Sequence, residues 1–189
     1  LSSHYGYLEQ PNRWAQDGYP QIANNLCNST ADIFAASPGI ASIYEGIGID
    51  ASRIHIVPNG VNSNKFRFSE SCENPSLSIY LAKVEPRKRQ KNFQTVDGLR
   101  FAGRCIDSGF DQSNSNYLGE WSKLELYENL TKYANLVLLS DGENHPLVCT
   151  EALVSGLGLV VSEFSQANLD VSLPFIDVIP ESKIADIDY

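Results

Sequence analysis

The chain has 189 residues, 42% hydrophobic and 20% charged, with a formal net charge of −9. Such a chain holds one full domain plus part of another and can bury a core. The acidic balance excludes a reader of nucleic-acid backbones, whose affinity comes from clustered Lys and Arg. The one basic cluster, Arg87, Lys88, Arg89 and Lys91, suits a single phosphate group.

No apolar run approaches the ~18 residues of a spanning helix. Cys27, Cys72, Cys105 and Cys149 are widely spaced without a CxxC pair, which points to reduced thiols in a cytoplasmic compartment and away from zinc or a disulfide framework. The sequons at Asn28 and Asn129 read as chance matches without a secretory signal. The chain opens on "LSSHYG" and contains no Met, so it is expected to be a segment of something larger.

In chain order, "ADIFAA" (31–36) reads as a short buried strand, followed by a turn at Ser37-Pro38-Gly39 and a helix over "ASIYEGIG". "RIHIVPNGV" is a strand running into the turn Pro58-Asn59-Gly60. "SLSIYLAKV" is an apolar run suited to a central strand buried on both faces. "PRKRQKNFQTV" predicts a helix with Pro86 near its start, "GLRFAGRC" a strand, and "DSGFDQSNSN" a loop. "YLGEW" reads as a strand, and "SKLELYENLTKYA" as a helix with Leu124, Tyr127 and Leu130 on its apolar side. "NLVLLS" (strand), "HPLVCTEALVSG" (helix), "LGLVVSEF" (strand) and "FIDVIPE" (strand) complete the alternation. Strands alternating with helices of this length imply βαβ units, hence an α/β fold with a Rossmann-like parallel sheet flanked by helices.

In such a sheet ligands bind at the carboxyl ends of strands. Three segments fall there: Ala82–Lys88, Ser140–Pro146 and Pro58–Gly60. Pro146 marks a helix start, whose first N–H groups and dipole favour an anion. Lys83 and Lys88 flank a second strand-to-helix turn and are placed to neutralise the same anion. Glu143 and Glu151 supply carboxylates, which accept hydrogen bonds from paired hydroxyls. Diphosphate plus polyol describes a sugar nucleotide or similar phosphorylated polyol, and these residue types alone leave catalysis and binding equally open.

"SDGENHPLVCTEALVSG" resembles the signature of retaining GT-B glycosyltransferases of family 4, with Ser140, Glu143, Pro146, Leu147, Glu151, Ala152 and Gly156 matching. "IHIVPNGVNSNKF" is similar to that family's interdomain segment, "LAKVEPRK" to its phosphate turn, and "YLGEWSKLELYENLTKYANLVLLS" to the strand-helix-strand leading into the signature. Together they cover roughly residues 31–163 in the family's order. The resemblance implies that residues 58–189 are most of a donor-binding domain and 1–57 the carboxyl-terminal part of an acceptor-binding domain. It implies transfer of a hexose from a nucleoside diphosphate sugar to a saccharide or lipid-linked acceptor, with retention of configuration.

By the same resemblance Glu143 holds hydroxyls of the transferred sugar, Glu151 holds the ribose, and Lys83 and Lys88 bind the diphosphate and stabilise the leaving group, with backbone amides of Leu147 and Val148 assisting. Asn144 and His145 line the sugar pocket, and His4 is placed on the acceptor side. No metal or other cofactor is required, because fixed positive groups replace the cation. Peripheral membrane contact is expected only through the missing amino-terminal domain.

Several residues depart from the pattern. Ala82-Lys83 stands where the family has Gly-Arg, replacing a fork with a point charge. Asn144 stands where Gly is common, and the span from Lys88 to "YLGEW" is short. A GT-B epimerase and a non-catalytic nucleotide-sugar-binding domain remain open as alternatives. A dehydrogenase does not, because no Gly-x-Gly-x-x-Gly opens a helix.

Overall fold

The computed structural model describes residues 18–186, which fall into two compact units. Of the described residues, unit 1 comprises those up to Asn59 together with Gly142–His145 and Ala167–Leu169, and unit 2 comprises Gly60–Asp141, Pro146–Gln166 and those from Asp170 onward.

Unit 1 contains α1 (Tyr19–Cys27), β1 (Ile33–Ala35), α2 (Pro38–Gly46) and β2 (Ile54–Ile56). The strands pair in parallel, Ile33 opposite Ile54 and Ala35 opposite Ile56. Ser37-Pro38-Gly39, expected as a turn, opens α2 instead. The Ser37 side chain accepts the Ile40 amide, and Pro38 sits in the first turn, where no helical hydrogen bond is lost. Ile33, Ala35, Ile40, Ala41, Tyr44 and Ile49 make the core. Beyond β2 the Val57 amide donates to the Ala35 carbonyl at 2.8 Å, carrying the ladder to the edge of the Pro58-Asn59-Gly60 turn.

Unit 2 is built on five parallel strands, β3 (Asn74–Leu81), β4 (Leu99–Ala102), β5 (Tyr133–Leu138), β6 (Gly158–Ser162) and β7 (Ile176–Ile179), in the order β4-β3-β5-β6-β7. Helices α3 (Lys123–Asn129) and α4 (Leu147–Ser155) connect them. Ile79 and Tyr80, which point to opposite faces of β3, are both fully buried, as are Phe101, Leu136, Leu138, Leu159 and Val161. Burial on both faces is why these strands read as continuous apolar runs. The chain moves outward from β3 to β4 and then crosses to β5 on the other side of β3. The order therefore reverses between β3 and β5, and the crevice at their carboxyl ends is the sheet's switch point.

Three local expectations are corrected. "PRKRQKNFQTV" forms two short 3₁₀ turns, Pro86–Lys88 and Gln90–Phe93, interrupted by Arg89 at φ 60°. "YLGEW" is not a regular strand. It lies along the edge of β4, with Phe101 donating to Asn116 O and Leu118 donating to Phe101 O at 2.9 and 2.8 Å. Finally, Leu124 is 65% exposed, while Leu126 and Leu130 face the core. A capping box at Ser122 and Glu125 starts α3 in that phase.

Gly103 fixes the approach of β4 to the turn after β3. Its φ is +140°, and a Cβ there would collide with the Ala82 carbonyl oxygen and lie 3.2 Å from the Lys83 nitrogen. Gly103→Ala is expected to destabilise the chain by about 2–4 kcal/mol, from backbone strain plus overpacking. Urea denaturation measures this, and an unchanged midpoint would contradict the close approach.

Candidate functional site

The turn after β3 and the loop after β5 meet at the switch point and are fastened by buried polar groups. Tyr80 is fully buried, yet its hydroxyl is satisfied twice: it donates to the Lys88 carbonyl and accepts the Leu139 amide at 2.8 Å. The Asp141 amide donates to the Arg87 carbonyl at 2.8 Å. Arg89, its side chain 16% exposed, places Nη2 3.0 Å from both an Asp141 oxygen and a Glu181 oxygen. The left-handed backbone at Arg89 turns its guanidinium onto these two carboxylates. Gln90, also fully buried, donates Nε2 to the Lys83 carbonyl at 2.9 Å.

Between these anchors lies a cationic turn organised around one carboxylate. Lys83 Nζ is 3.1 Å from Glu85, and Arg87 is 3.3 Å from its other oxygen. Burial alone would raise the pKa of Glu85. The Lys83 hydrogen bond and the charges of Lys83, Arg87 and Lys88 outweigh it and hold the carboxyl below its usual range. Lys83 and Lys88 are thus brought together on one turn. Lys83 is half exposed, and Glu85 is a partner that the sequence reading did not single out.

Pro146 is the N-cap of α4, so Leu147 and Val148 supply its first two amides. Leu147 is exposed. By helix geometry these N–H groups lack acceptors inside the helix and carry the positive end of its dipole. Glu151 follows one turn later, 8% exposed, with Oε1 2.8 Å from Lys123 Nζ. Lys123 was not identified from sequence. The signal was its spacing: it precedes the buried Leu126 by three positions and Tyr127 by four, which puts it at the exposed amino-terminal end of that side of α3. Beneath α4, Ser162 Oγ donates to the Ser140 carbonyl at 2.6 Å, pinning the end of β5 to the end of β6. Among the described residues the buried Ser140 hydroxyl has no partner.

Glu143, Asn144 and His145 belong to unit 1. All three are half-buried. His145 Nδ1 accepts the Asn59 amide at 2.9 Å, and burial lowers the imidazole pKa. The Asn144 Oδ1 atom is buried with no hydrogen-bond partner among the described residues. In the same unit Asn168 Nδ2 donates to the Ala36 carbonyl at 2.7 Å, just past β1. His4 lies outside the described residues.

No family model matches the chain, and no curated protein matches it. Solved structures do. The lipopolysaccharide outer core galactosyltransferase WaaB matches over 82% of this chain and 50% of its own, at 21% identity and a TM-score of 0.61. HepE of Anabaena, solved in complex with UDP, matches over 94% and 57%, at 13% identity and a TM-score of 0.73. Sucrose-phosphate synthase of Thermosynechococcus elongatus matches over 88% and 52%, at 14% identity and a TM-score of 0.64. The chain thus spans about half the length of these structures. Its parallel five-stranded sheet flanked by helices is the Rossmann-like fold of a GT-B domain. No described helix is long and apolar enough to cross a membrane.

Glu85 makes a pH-dependent prediction. Its folded pKa lies below the unfolded value, so it contributes stability above the unfolded pKa, about 4.3, and loses that contribution as pH falls through the folded pKa. Urea midpoints measured between pH 6 and pH 3 are expected to converge for the parent chain and Glu85→Gln. A gap that stays constant over that interval would contradict the ion-paired assignment.

Proposed function

We propose that this chain binds a nucleoside diphosphate sugar and forms the donor side of a retaining hexosyltransferase acting on a saccharide or lipid-linked acceptor. The observation that carries this reading is the arrangement in unit 2. A turn bearing Lys83 and Lys88 is fastened to the end of β5 at the switch point, and α4 with Glu151 follows in the same unit. Two of the similar structures add support: HepE was solved in complex with UDP and with UDP-glucose.

In this reading Lys83 and Lys88 neutralise the diphosphate as it leaves, and the Leu147 and Val148 amides add fixed dipoles. That electrostatic stabilisation takes the place of a metal ion. Lys83 leaves Glu85 for the phosphate oxygens, so one ion pair is exchanged for another. Glu151, held through Oε1 by Lys123, accepts ribose hydroxyls. Glu143 and Asn144 engage the hexose, Glu143 as acceptor for its hydroxyls. The acceptor hydroxyl attacks the anomeric carbon on the face the diphosphate leaves; the anomeric carbon–phosphate oxygen bond breaks, and the hydroxyl proton passes to the departing phosphate oxygen. The anomeric carbon passes through an oxocarbenium-like state and its configuration is kept.

The two glutamates separate experimentally. Glu151→Gln should weaken UDP and UDP-glucose by similar factors, about 10- to 150-fold, the value of one charged hydrogen-bond acceptor at roughly 1.5–3 kcal/mol. Glu143→Gln should leave UDP affinity unchanged and weaken UDP-glucose, because its partner is the hexose. Calorimetric titration of both variants with both ligands checks this. Small, equal effects throughout would remove both residues from the donor site.

A further inference from the structure

Asn59 of the Pro58-Asn59-Gly60 turn and His145 of the signature loop stand 86 positions apart and are joined by a hydrogen bond from the Asn59 amide to His145 Nδ1. Val57 carries the β2 ladder to the turn, and Pro58 follows it with no N–H to donate. The Asn59 amide is the next donor in the chain, and a backbone N–H needs an acceptor. A backbone amide always donates, so the ring nitrogen facing it must hold a lone pair. The imidazole is therefore neutral with its proton on Nε2. An acceptor is put in this position at this reach by His through Nδ1 and by Asn or Asp through Oδ1. Gln places its oxygen one bond further out.

We propose that His145 is a positioning residue: its Nδ1–Asn59 hydrogen bond fixes the 142–145 loop, and with it Glu143 and Asn144, in the conformation that meets the hexose. The inference rests on the donor-binding reading above for what the loop meets, but not for the tie itself. The loop needs such a restraint. Gly142, at φ 108°, opens it with a backbone that gives little intrinsic stiffness, and Asn144 Oδ1 is buried without a hydrogen-bond partner among the described residues. Burial also disfavours the imidazolium, which keeps the acceptor in place.

The test uses the full chain with His145→Ala, His145→Asn and His145→Gln. In the ligand-free protein, two-bond ¹⁵N–¹H spectra should show the Nε2–H tautomer, and Asn59 amide exchange should be about 10-fold faster in the Ala and Gln variants but near parental in the Asn variant. UDP-glucose should bind about 2- to 10-fold more weakly to the Ala and Gln variants, the range for one neutral hydrogen bond, with UDP unchanged and the Asn variant restored. An Nδ1–H tautomer, unchanged Asn59 exchange, or an Asn variant that behaves like Ala would overturn the proposal. So would faster exchange with UDP-glucose affinity intact, or equal losses for UDP and UDP-glucose. If the parent chain binds neither ligand, the donor reading fails, and the tautomer and exchange data alone decide whether His145 holds the loop. Should the Ala variant not fold, the Asn and Gln pair still gives the contrast.

Discussion

The candidate site hangs on one buried phenol. Tyr80 lies in β3, an interior strand of unit 2, and its hydroxyl spans the switch point, donating to the Lys88 carbonyl and accepting the Leu139 amide. A buried hydroxyl with no partner costs about 1–3 kcal/mol, so the two chain segments that satisfy it are held where they can reach it. One is the end of the lysine turn and the other is the end of β5. Everything proposed for the diphosphate follows from that constraint. Gln90 then shapes the turn from beneath, and Arg89 locks its far side to Asp141 and Glu181.

Charges around this anchor are compensated within unit 2. Lys83 is paired with Glu85, and Glu151 with Lys123. Ligand binding at such a site exchanges partners; it does not supply the first partner to a bare charge. The Coulomb gain is therefore a difference between two pairings, offset by desolvation, and small changes in geometry decide its sign. The same pairing keeps a lysine-bearing turn stable in a chain whose overall charge is −9.

Much of this was legible in the residues. Apolar runs such as "SLSIYL" and "NLVLL" read correctly as strands, the first as one buried on both faces, where alternation is not needed. The α4 start at Pro146 and its stop at Gly156, with φ 92°, were equally plain. Failures came where tertiary polar contacts overrode local preference. "PRKRQKNF" is composed largely of good helix formers. The reach of Arg89 to two distant carboxylates and of Gln90 to the Lys83 carbonyl breaks it into 3₁₀ turns. "YLGEW" lies against the β4 edge, but Gly119 at φ 80° turns the chain before a ladder can form. Lys123 was hidden for a related reason: it matters through Glu151, 28 positions away, which only the fold brings near.

The most direct test of the central claim is amide chemical-shift mapping of the ¹⁵N-labelled chain with UDP. The account predicts that the largest shifts fall on Lys83–Arg89, Leu139–Asp141 and Leu147–Val148, the segments gathered at the carboxyl ends of β3 and β5. Shifts confined instead to the apolar cavity of about 240 Å³ lined by Phe93, Val137, Val160 and Ile179 on the sheet face would contradict it. So would the absence of any saturable shift.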